Sequence, residues 1–505
     1  MAALPLAGVF CAAGANADTA SEAAAAAIFD KVAGNAAQLR MFLQAMPKGG
    51  DLHNHMGGNI YAEDFLQVAA RDDMCADDKM ERIVRGPCAQ ERRIAKLAEA
   101  DPFTYGRLVD ALSTRGYQRG VGADQVSGHT QFFTSFDKFS PAFAGQMGRW
   151  IALTRASAAR NRVSYVELMR DPRALVEYAM AGGDETVAEA DLPAVYDKEI
   201  GAAEAAVTKA IAEADREDAE AHSLQSCGTA AAEPGCNVAM HYLTFAWRGK
   251  APAIAYRSLI AGFVLAHRDP RFVGVNIVMP EDDPVALRDY DLHMAMFRFL
   301  QARYPDVKVT MHAGELALGL VAPQELEDHI AKAIASGARR IGHGTDIAYE
   351  QGAPETLARM ARDKIAVEVN LTSNAVILGV EGGEHPLKLY RSMGVPVALS
   401  TDDEGVLRSD MTNEFRRAAM EQGLSYRDLK ELARASLEYS FVPGASYWRG
   451  GDFGRVAQSC ATATAAAACQ RFLAANEKAR LQADLEKRFE QFERDLGRFE
   501  RSLES

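Results

Sequence analysis

The sequence lacks any apolar run near the roughly 18 residues that a membrane-spanning helix needs, so no segment is expected to cross a bilayer. It also lacks a basic excess, because 69 acidic and 56 basic side chains give a formal net charge of −13. A chain of that charge is not expected to bind nucleic acid or an anionic membrane surface. With 505 residues, 48% of them hydrophobic, the chain can form a large core.

Cysteine is scarce, and none of the seven cysteines shows the CxxC spacing that is typical of metal sites. One of them, Cys11, lies in an apolar N-terminal segment. The other six form three close pairs: Cys75 with Cys88, Cys227 with Cys236, and Cys460 with Cys469. Proximity favours three local disulfides and therefore an oxidising compartment, with unpaired buried thiols as the alternative.

The N-terminus resembles a processing segment. Residues 4–15 are small and mostly apolar, and Ala15, Asn16 and Ala17 fit a small-x-small cleavage site before Asp18. A charged stretch ahead of the apolar run is missing, so a frayed alanine-rich leader is the alternative. Residues 1–17 are predicted to be the remnant of a signal peptide, and the protein is predicted to be exported to the periplasm or the extracellular space.

Eight short runs predict strands, and helix-like runs fall between most of them. The predicted strands are residues 50–56, 163–169, 238–247, 272–279, 307–312, 340–343, 365–370 and 395–400. Several are nearly continuous apolar runs, which is typical of parallel strands that are covered on both sides. Eight strand–helix repeats predict an α/β fold, a (β/α)8 TIM-type barrel.

The segments outside this repeat predict additions to the barrel. They are an N-terminal helix in residues 18–46, a barrel in 47–445 with insertions at about 62–125 and 184–236, and a C-terminal loop and helical extension in 446–505. The first insertion holds one cysteine pair. An apolar stripe on the extension favours a helix packed on its own barrel, with a homodimer contact through the terminal helices as the alternative. The stripe consists of Leu481, Leu485, Phe489, Phe492, Leu496 and Phe499.

Side chains of the types that bind metals lie at or just after the ends of four predicted strands. They are His53 and His55, His312, His343, and Asp402 with Asp403. Residues i and i+2 of a strand point to the same face, so both histidines of the first strand face the barrel lumen, at the end where such barrels place their sites. Buried structural histidines are the alternative, but they would require the same coincidence at three other strand ends. Imidazoles with one carboxylate predict one zinc ion that activates a water, although iron and cobalt also suit such ligands.

Four side chains at or near these strand ends suit the chemistry of a hydrolase. Glu315 follows His312 by three residues, where it can transfer a proton without binding the metal, and a helix N-terminal charge is its alternative role. His343, between two glycines, could hold the attacking water. Of the neighbours Asp402 and Asp403, one can bind metal while the other accepts a hydrogen bond from substrate. Residues 272–279 contain no lysine or glutamate to bridge a second metal, so one ion per chain is favoured over a binuclear site.

These fragments resemble the adenosine deaminase family of metal-dependent amidohydrolases. Residues 46–55 are similar to its opening strand, and residues 312–315, Ser373 with Asn374, and residues 400–403 are similar to its later motifs. The N-terminal helix, the cysteine-bearing insertion and the predicted signal peptide look more like its secreted, growth-factor-related branch. The similarity covers roughly residues 46–445.

The resemblance implies hydrolytic deamination of adenosine or 2′-deoxyadenosine to the inosine form and ammonia. It implies that His53, His55, His312 and Asp402 bind zinc. It implies that Glu315 protonates purine N1 and that His343 orients the attacking hydroxide. Substrate contacts would come from Asp403, which meets N7, and from Gly314. The expected partners are a purine nucleoside and water.

Two positions depart from the family's pattern. Gly57 stands where the family has an aspartate that contacts the ribose 5′-hydroxyl, and Met279 stands where a glycine backbone meets the purine. These departures motivate an alternative, a deaminase of another amino-heterocycle such as adenine or a modified adenosine. A nucleoside-binding protein without catalysis is a third interpretation, which the intact metal-type residues disfavour. A phosphorylated substrate is disfavoured because no basic cluster follows the catalytic motifs.

Overall fold

The computed structural model describes residues 20–117, 126–461 and 466–504, with side chains as far as residue 497. Cys11 and the predicted signal peptide remnant therefore lie outside the described residues. No helix in these ranges is long and apolar enough to cross a membrane.

Eight parallel strands form the centre of the molecule. They are β1 Gly49–His55, β2 Val163–Met169, β3 Ala239–Trp247, β4 Phe272–Val278, β5 Thr310–Ala313, β6 Arg340–His343, β7 Ala366–Val369 and β8 Val397–Leu399. Neighbours pair in chain order from β1 to β4 and from β5 to β8. Parallel bridges from Val275 to Val309 and from Asn54 to Asp402 join the two runs into a closed ring. The predicted barrel is confirmed, and each predicted strand coincides with an observed one.

Helices surround this ring and extend beyond it. They are α1 Ala20–Val32, α2 Ala36–Ala45, α3 Ala62–Arg71, α4 Ile94–Ala100, α5 Pro102–Ala111, α6 Gly128–Phe143, α7 Met147–Arg160, α8 Arg173–Met180, α9 Leu192–Leu224, α10 Pro252–Arg268, α11 Pro284–Arg288, α12 Tyr290–Arg303, α13 His329–Ala335, α14 Ala353–Asp363, α15 Leu371–Ser373, α16 Leu387–Ser392, α17 Met411–Gln422, α18 Tyr426–Glu438, α19 Ala466–Ala475 and α20 Glu477–Glu504. Two short antiparallel hairpins, Cys75–Ala76 with Ile83–Val84 and Trp448–Arg449 with Asp452–Val456, lie outside the barrel.

The N-terminal segment contains two helices, α1 and α2, where the sequence predicts one. Asn35 separates them, because its Oδ1 accepts hydrogen bonds from the N–H groups of Ala37 and Gln38 at 3.0 and 3.1 Å. This side-chain cap starts a second helix after the first has ended at Val32.

The C-terminal helix α20 buries its apolar stripe within its own chain, against α1, α2 and α18. The stripe residues Leu481, Leu485, Phe489, Phe492 and Leu496 are each at most 8% exposed. Lys430 and Tyr426 of α18 also bind Glu493 of α20, at 2.6 and 2.7 Å. The predicted packing of this helix on its own barrel is confirmed, although the side chain of Phe499 lies outside the described part. A homodimer through the terminal helices stays a prediction.

All three predicted disulfides are present, joining Cys75 to Cys88, Cys227 to Cys236 and Cys460 to Cys469. The first closes a hairpin in the excursion between β1 and β2, which also carries α3 to α6. The second follows the 33-residue helix α9 and precedes β3. The proposed domain boundaries stay a prediction.

Candidate active site

The histidines and the aspartate predicted to bind metal meet at the carboxyl ends of β1, β5 and β8. The Nε2 atoms of His53, His55 and His312 lie 3.0 to 3.3 Å from one another. Asp402 Oδ1 lies 3.5 Å from Nε2 of His53 and 3.3 Å from Nε2 of His55. The bridge between Asn54 and Asp402 closes the barrel at this point, so the fold itself brings β1 and β8 together.

The donor set fits a divalent metal ion. Three imidazole nitrogens that face one another cannot all be satisfied by protons between them, since each neutral ring has one donor and one acceptor. Four donors around a tetrahedral ion with bonds of about 2.0–2.1 Å lie about 3.3 Å apart, close to the spacing found here. Within the described residues, His53, His312, His343 and Asp402 also form a buried group able to hold such an ion.

Two buried polar residues accept hydrogen bonds from the Nδ1 atoms of His53 and His312, on the sides of the rings that face away from the cluster. His53 Nδ1 donates to Glu368 Oε2 at 2.6 Å, and His312 Nδ1 donates to Asn276 Oδ1 at 3.0 Å. These contacts fix each ring with Nε2 facing the cluster, as in metal sites whose ligands are oriented by a second hydrogen bond. Glu368 is itself bound by Arg340 and Thr310. The sequence interpretation missed Glu368 and Asn276, although each is a polar interruption of an apolar strand.

The electrostatics favour the ligand forms of most of these groups. Burial lowers the pKa of His55 to about 4 and holds that of His312 well below its ordinary value. Burial would raise the pKa of Asp402, but His53 and the other nearby imidazoles outweigh it and lower the pKa. Burial would lower the pKa of His53, yet Asp402 and Glu368 outweigh it and raise the pKa to about 10. The two carboxylates therefore stabilise a positive charge at His53, and a bound cation would also compensate their negative charge.

Glu315 lies beside the cluster and is 7% exposed. Its Oε1 is 3.6 Å from His343 Nε2. Burial, together with Asp402 and Glu281, raises the pKa of Glu315 well above its ordinary value, so the side chain keeps a proton that it can donate.

The backbone around Glu315 is held by Glu281, a fully buried residue that the sequence interpretation did not assign. Glu281 accepts the N–H groups of Gly314 and Glu315 at 3.2 and 2.9 Å, and His329 Nδ1 at 2.6 Å. The carbonyl of Gly314 also accepts the N–H of Thr345 at 2.7 Å. Since both backbone groups of Gly314 already have partners, its contact with substrate stays a prediction.

His343 and Asp403 complete the group of predicted residues. Burial lowers the pKa of His343 to about 3, and Asn374 Nδ2 lies 3.0 Å from its Nδ1. Asp403 is 4% exposed, and among the described residues its Oδ1 has no hydrogen-bond partner. A Cβ atom at Gly58 would overlap the carboxylate of Asp403, so only glycine allows this close approach. Burial, with Asp402 and Glu315 nearby, raises the pKa of Asp403 well above its ordinary value.

A cavity of about 650 Å³ opens onto these groups. It is lined by Glu315, His343, Asp402 and Asp403, and also by Gly57 and Met279, the two positions that depart from the family pattern. Met279 has a φ of +83°, a left-handed conformation that favours glycine. Its side chain packs over Gly249, where an added Cβ would meet Met279 Cε at 2.9 Å.

Known proteins are similar to this chain in sequence or in fold. The sequence model of the adenosine deaminase family matches residues 127–447. An adenosine deaminase of Shewanella loihica is 32% identical over 145 residues, which are 28% of this chain and 41% of the relative. An aminodeoxyfutalosine deaminase of Streptomyces coelicolor is 38% identical over 132 residues, 26% of this chain and 32% of the relative. The chain thus aligns with about two fifths or less of the length of these curated relatives.

The fold of a solved structure is also similar. An amidohydrolase of Burkholderia ambifaria with bound zinc superimposes with a TM-score of 0.51 at 18% identity, covering 89% of this chain and 94% of the other. At that identity the likeness concerns the barrel fold.

Proposed function

The chain belongs to the adenosine deaminase family, and on that premise we propose that it is a zinc-dependent hydrolase acting on adenosine or 2′-deoxyadenosine. Water replaces the 6-amino group, so the products are inosine or 2′-deoxyinosine and ammonia. The observation that carries the proposal is the meeting of a metal-type donor cluster, the buried Glu315 and His343 on one cavity.

His53, His55, His312 and Asp402 would hold one zinc ion. Such an ion supplies a Lewis acid that lowers the pKa of water toward neutrality. Three imidazoles, with His53 giving up its extra proton when the ion binds, and one charged carboxylate would match the softness and charge that zinc accepts.

Side chains of the protein would carry out the proton transfer and orient the water. Glu315 would donate its proton to purine N1, which makes C6 easier to attack, because the proton neutralises the negative charge that develops on N1 as the C6–O bond forms. His343 orients the attacking water from the side that faces Glu315 and Asp402. Purine N7 is a hydrogen-bond acceptor, so Asp403 has to donate to it. This reverses the acceptor role expected from the sequence, and the raised pKa of Asp403 supports the change.

Export is proposed with the same function. Three disulfides favour an oxidising compartment, where such bonds persist. A signal peptide in residues 1–17 would account for that location.

The experiment is the ultraviolet change as adenosine or 2′-deoxyadenosine becomes its inosine form, with bound metal quantified in the same sample. Glu315→Gln should keep its metal and lose kcat by about 10²- to 10⁴-fold, since a general acid contributes about that much. Glu355→Gln, at an exposed position of α14, is the matched control and should retain activity. Normal turnover by Glu315→Gln would refute the role of Glu315. If the zinc-loaded protein is inactive on both nucleosides, the proposed substrates are refuted and another amino-heterocycle is favoured. Gly57 and Met279, which depart from the family pattern, already motivate that alternative.

A further inference from the structure

The cavity has walls of two different chemical kinds. The metal-type groups and the carboxyl groups of Glu315, Asp402 and Asp403 come from the strand ends of the barrel, whereas the carboxyl group of Asp137 comes from α6. A second wall comes from outside the barrel and is aromatic. Its rings are those of Phe132, Phe133, Phe136 and Phe143 of α6, and Met147 at the start of α7 adds an apolar side chain. Rings within this wall contact one another, with centroids 4.9 Å apart for Phe132 and Phe133 and 5.3 Å apart for Phe132 and Phe136.

Helix α6 is anchored at both ends, so the aromatic wall is preformed. Near its start, His129 Nε2 lies 3.0 Å from Asp282 Oδ1, in the loop after β4. A Cβ at Gly128 would overlap the carbonyl of Val376, which shows how closely the helix approaches the loop after β7. Farther along, Phe139 stacks on Phe65 of α3 at a centroid distance of 4.3 Å.

Gly57 lies where the two walls meet. It follows His55 by two residues, and a Cβ at this position would lie 3.6 Å from the ring of Phe136. No side chain therefore stands between the end of β1 and that ring. A ligand group at this place meets an aromatic edge rather than a carboxylate or an amide.

The charged residues of the cavity do not suit a phosphate. Six carboxyl groups line it, those of Asp137, Asp171 and Asp283 in addition to Glu315, Asp402 and Asp403, together with the cations Arg170 and Lys250. The guanidinium of Arg170 pairs with Glu217 through Nη2 and stacks 4.7 Å from the ring centre of Tyr242, while its Nε and Nη1 have no hydrogen-bond partner among the described residues. A nucleotide phosphate would thus meet two cations, Arg170 and Lys250, among a larger number of carboxyl groups.

We infer that the preferred substrates are 6-aminopurine nucleosides whose 5′ carbon carries an uncharged apolar group, such as an alkylthio group, instead of a hydroxyl or a phosphate. The inference rests on the proposed function. With C6 at the metal cluster, the sugar on N9 would lie at the opposite end of the purine, and we place its 5′ carbon toward the second wall, which bounds the cavity away from the cluster. The bond changes are those of the proposed reaction: water adds at C6, ammonia leaves, and the 5′ group stays intact.

The test compares adenosine, 5′-deoxy-5′-methylthioadenosine and AMP with zinc-loaded enzyme. Burial of a methylthio group on aromatic rings should raise kcat/KM about tenfold over adenosine, since its sulfur and its methyl group are two buried groups that each contribute about fourfold at most. AMP should be the poorest of the three. As a binding readout that needs no turnover, 5′-methylthioinosine should inhibit competitively at about tenfold lower concentration than inosine.

Three variants at two positions localise the effect. Phe136→Ala should remove most of the methylthio preference, mainly through KM, and Phe136→Leu should restore part of it. Gly57→Asp should reverse the preference, because the structure leaves ordinary contact distance for a Cβ there and a carboxylate would then face the 5′ group. Phe103→Ala, at a ring that is 87% exposed, is the matched control.

The outcomes separate the two proposals. If none of the three compounds is deaminated, the proposed function fails. If adenosine is deaminated and the methylthio compound is equal or worse, or AMP is best, only the present inference is overturned. The same holds if Phe136→Ala leaves the ratio of the two kcat/KM values unchanged.

Discussion

Asn374 donates a hydrogen bond to His343, with its Nδ2 3.0 Å from Nδ1 of the ring. The direction of this bond is set by His385. The N–H of Leu387 donates to His385 Nδ1 at 3.1 Å, so the ring proton of neutral His385 is on Nε2, which donates to Asn374 Oδ1 at 3.0 Å. The side-chain NH₂ group of Asn374 therefore faces His343 and is the donor. The proton of His343 therefore lies on Nε2, the nitrogen nearest to Glu315 and Asp402.

Asn374→Asp should reverse this tautomer. A carboxylate accepts where the amide donates, so it would draw the proton of His343 to Nδ1 and leave Nε2 without one. We expect kcat to fall about 10²-fold with metal content unchanged. Nitrogen-15 spectra of labelled histidine would report the tautomer directly. Asn35→Asp, which keeps a good helix cap, is the control. Unchanged histidine spectra, or a kcat within about twofold of wild type, would contradict this account.

Glu281 should make the fold sensitive to acid. Burial would raise its pKa, but Arg248 and His329 outweigh burial and lower it from 4.5 to about 2. Because the folded-state pKa is depressed, the charged form stabilises the protein above about pH 4.5, and that contribution is lost as the pH falls toward 2. The contribution is about 3 kcal/mol at neutral pH.

Urea unfolding of wild type and Glu281→Gln at pH 7 and pH 3.5 measures this contribution. The variant should have the lower free energy of unfolding at pH 7, and the gap between the two proteins should narrow at pH 3.5. Glu355→Gln should follow wild type at both pH values. A gap that stays constant, or widens in acid, would show that the charge on Glu281 does not stabilise the fold.

Much of the barrel and the site could be predicted from local patterns. Several strands are nearly continuous apolar runs, and the residues of the cluster stand at or just after the ends of the predicted strands, so the local pattern places His53 and His312 at one rim of the barrel. The break at Asn35 was not predicted, because the apolar spacing continues across it and the cap acts through one side chain.

Other features depend on contacts between segments distant in sequence. Glu368 and Asn276 lie inside strands, and only the closed barrel shows that they face His53 and His312. The aromatic wall depends on how α6 packs against the loops after β4 and β7. Nothing in the local sequence of α6 specifies those neighbours.

Asn276 should control the affinity for metal. Its Oδ1 accepts both the N–H of His312 and the ring Nδ1, at 3.1 and 3.0 Å, and so orients the ligand. Asn276→Ala should weaken zinc binding by about 10- to 100-fold, as measured by competition with a fluorescent chelator. Asn237→Ala, on an exposed turn, is the control. Zinc should also raise the thermal midpoint of the apoprotein, less so for Asn276→Ala. An affinity within about twofold of wild type would remove Asn276 from this role.

The disulfide between Cys227 and Cys236 should stabilise the junction between α9 and β3. It closes a loop with a sequence separation of 9, which restricts the unfolded chain. Replacing both cysteines with serine should therefore lower the free energy of unfolding by about 2.5 kcal/mol in urea. Strong reductant should destabilise wild type further than it destabilises the double variant, because the variant has already lost this bond. Six free thiols in the oxidised wild-type protein, counted by mass spectrometry, would contradict both this stabilisation and the argument for an oxidising compartment.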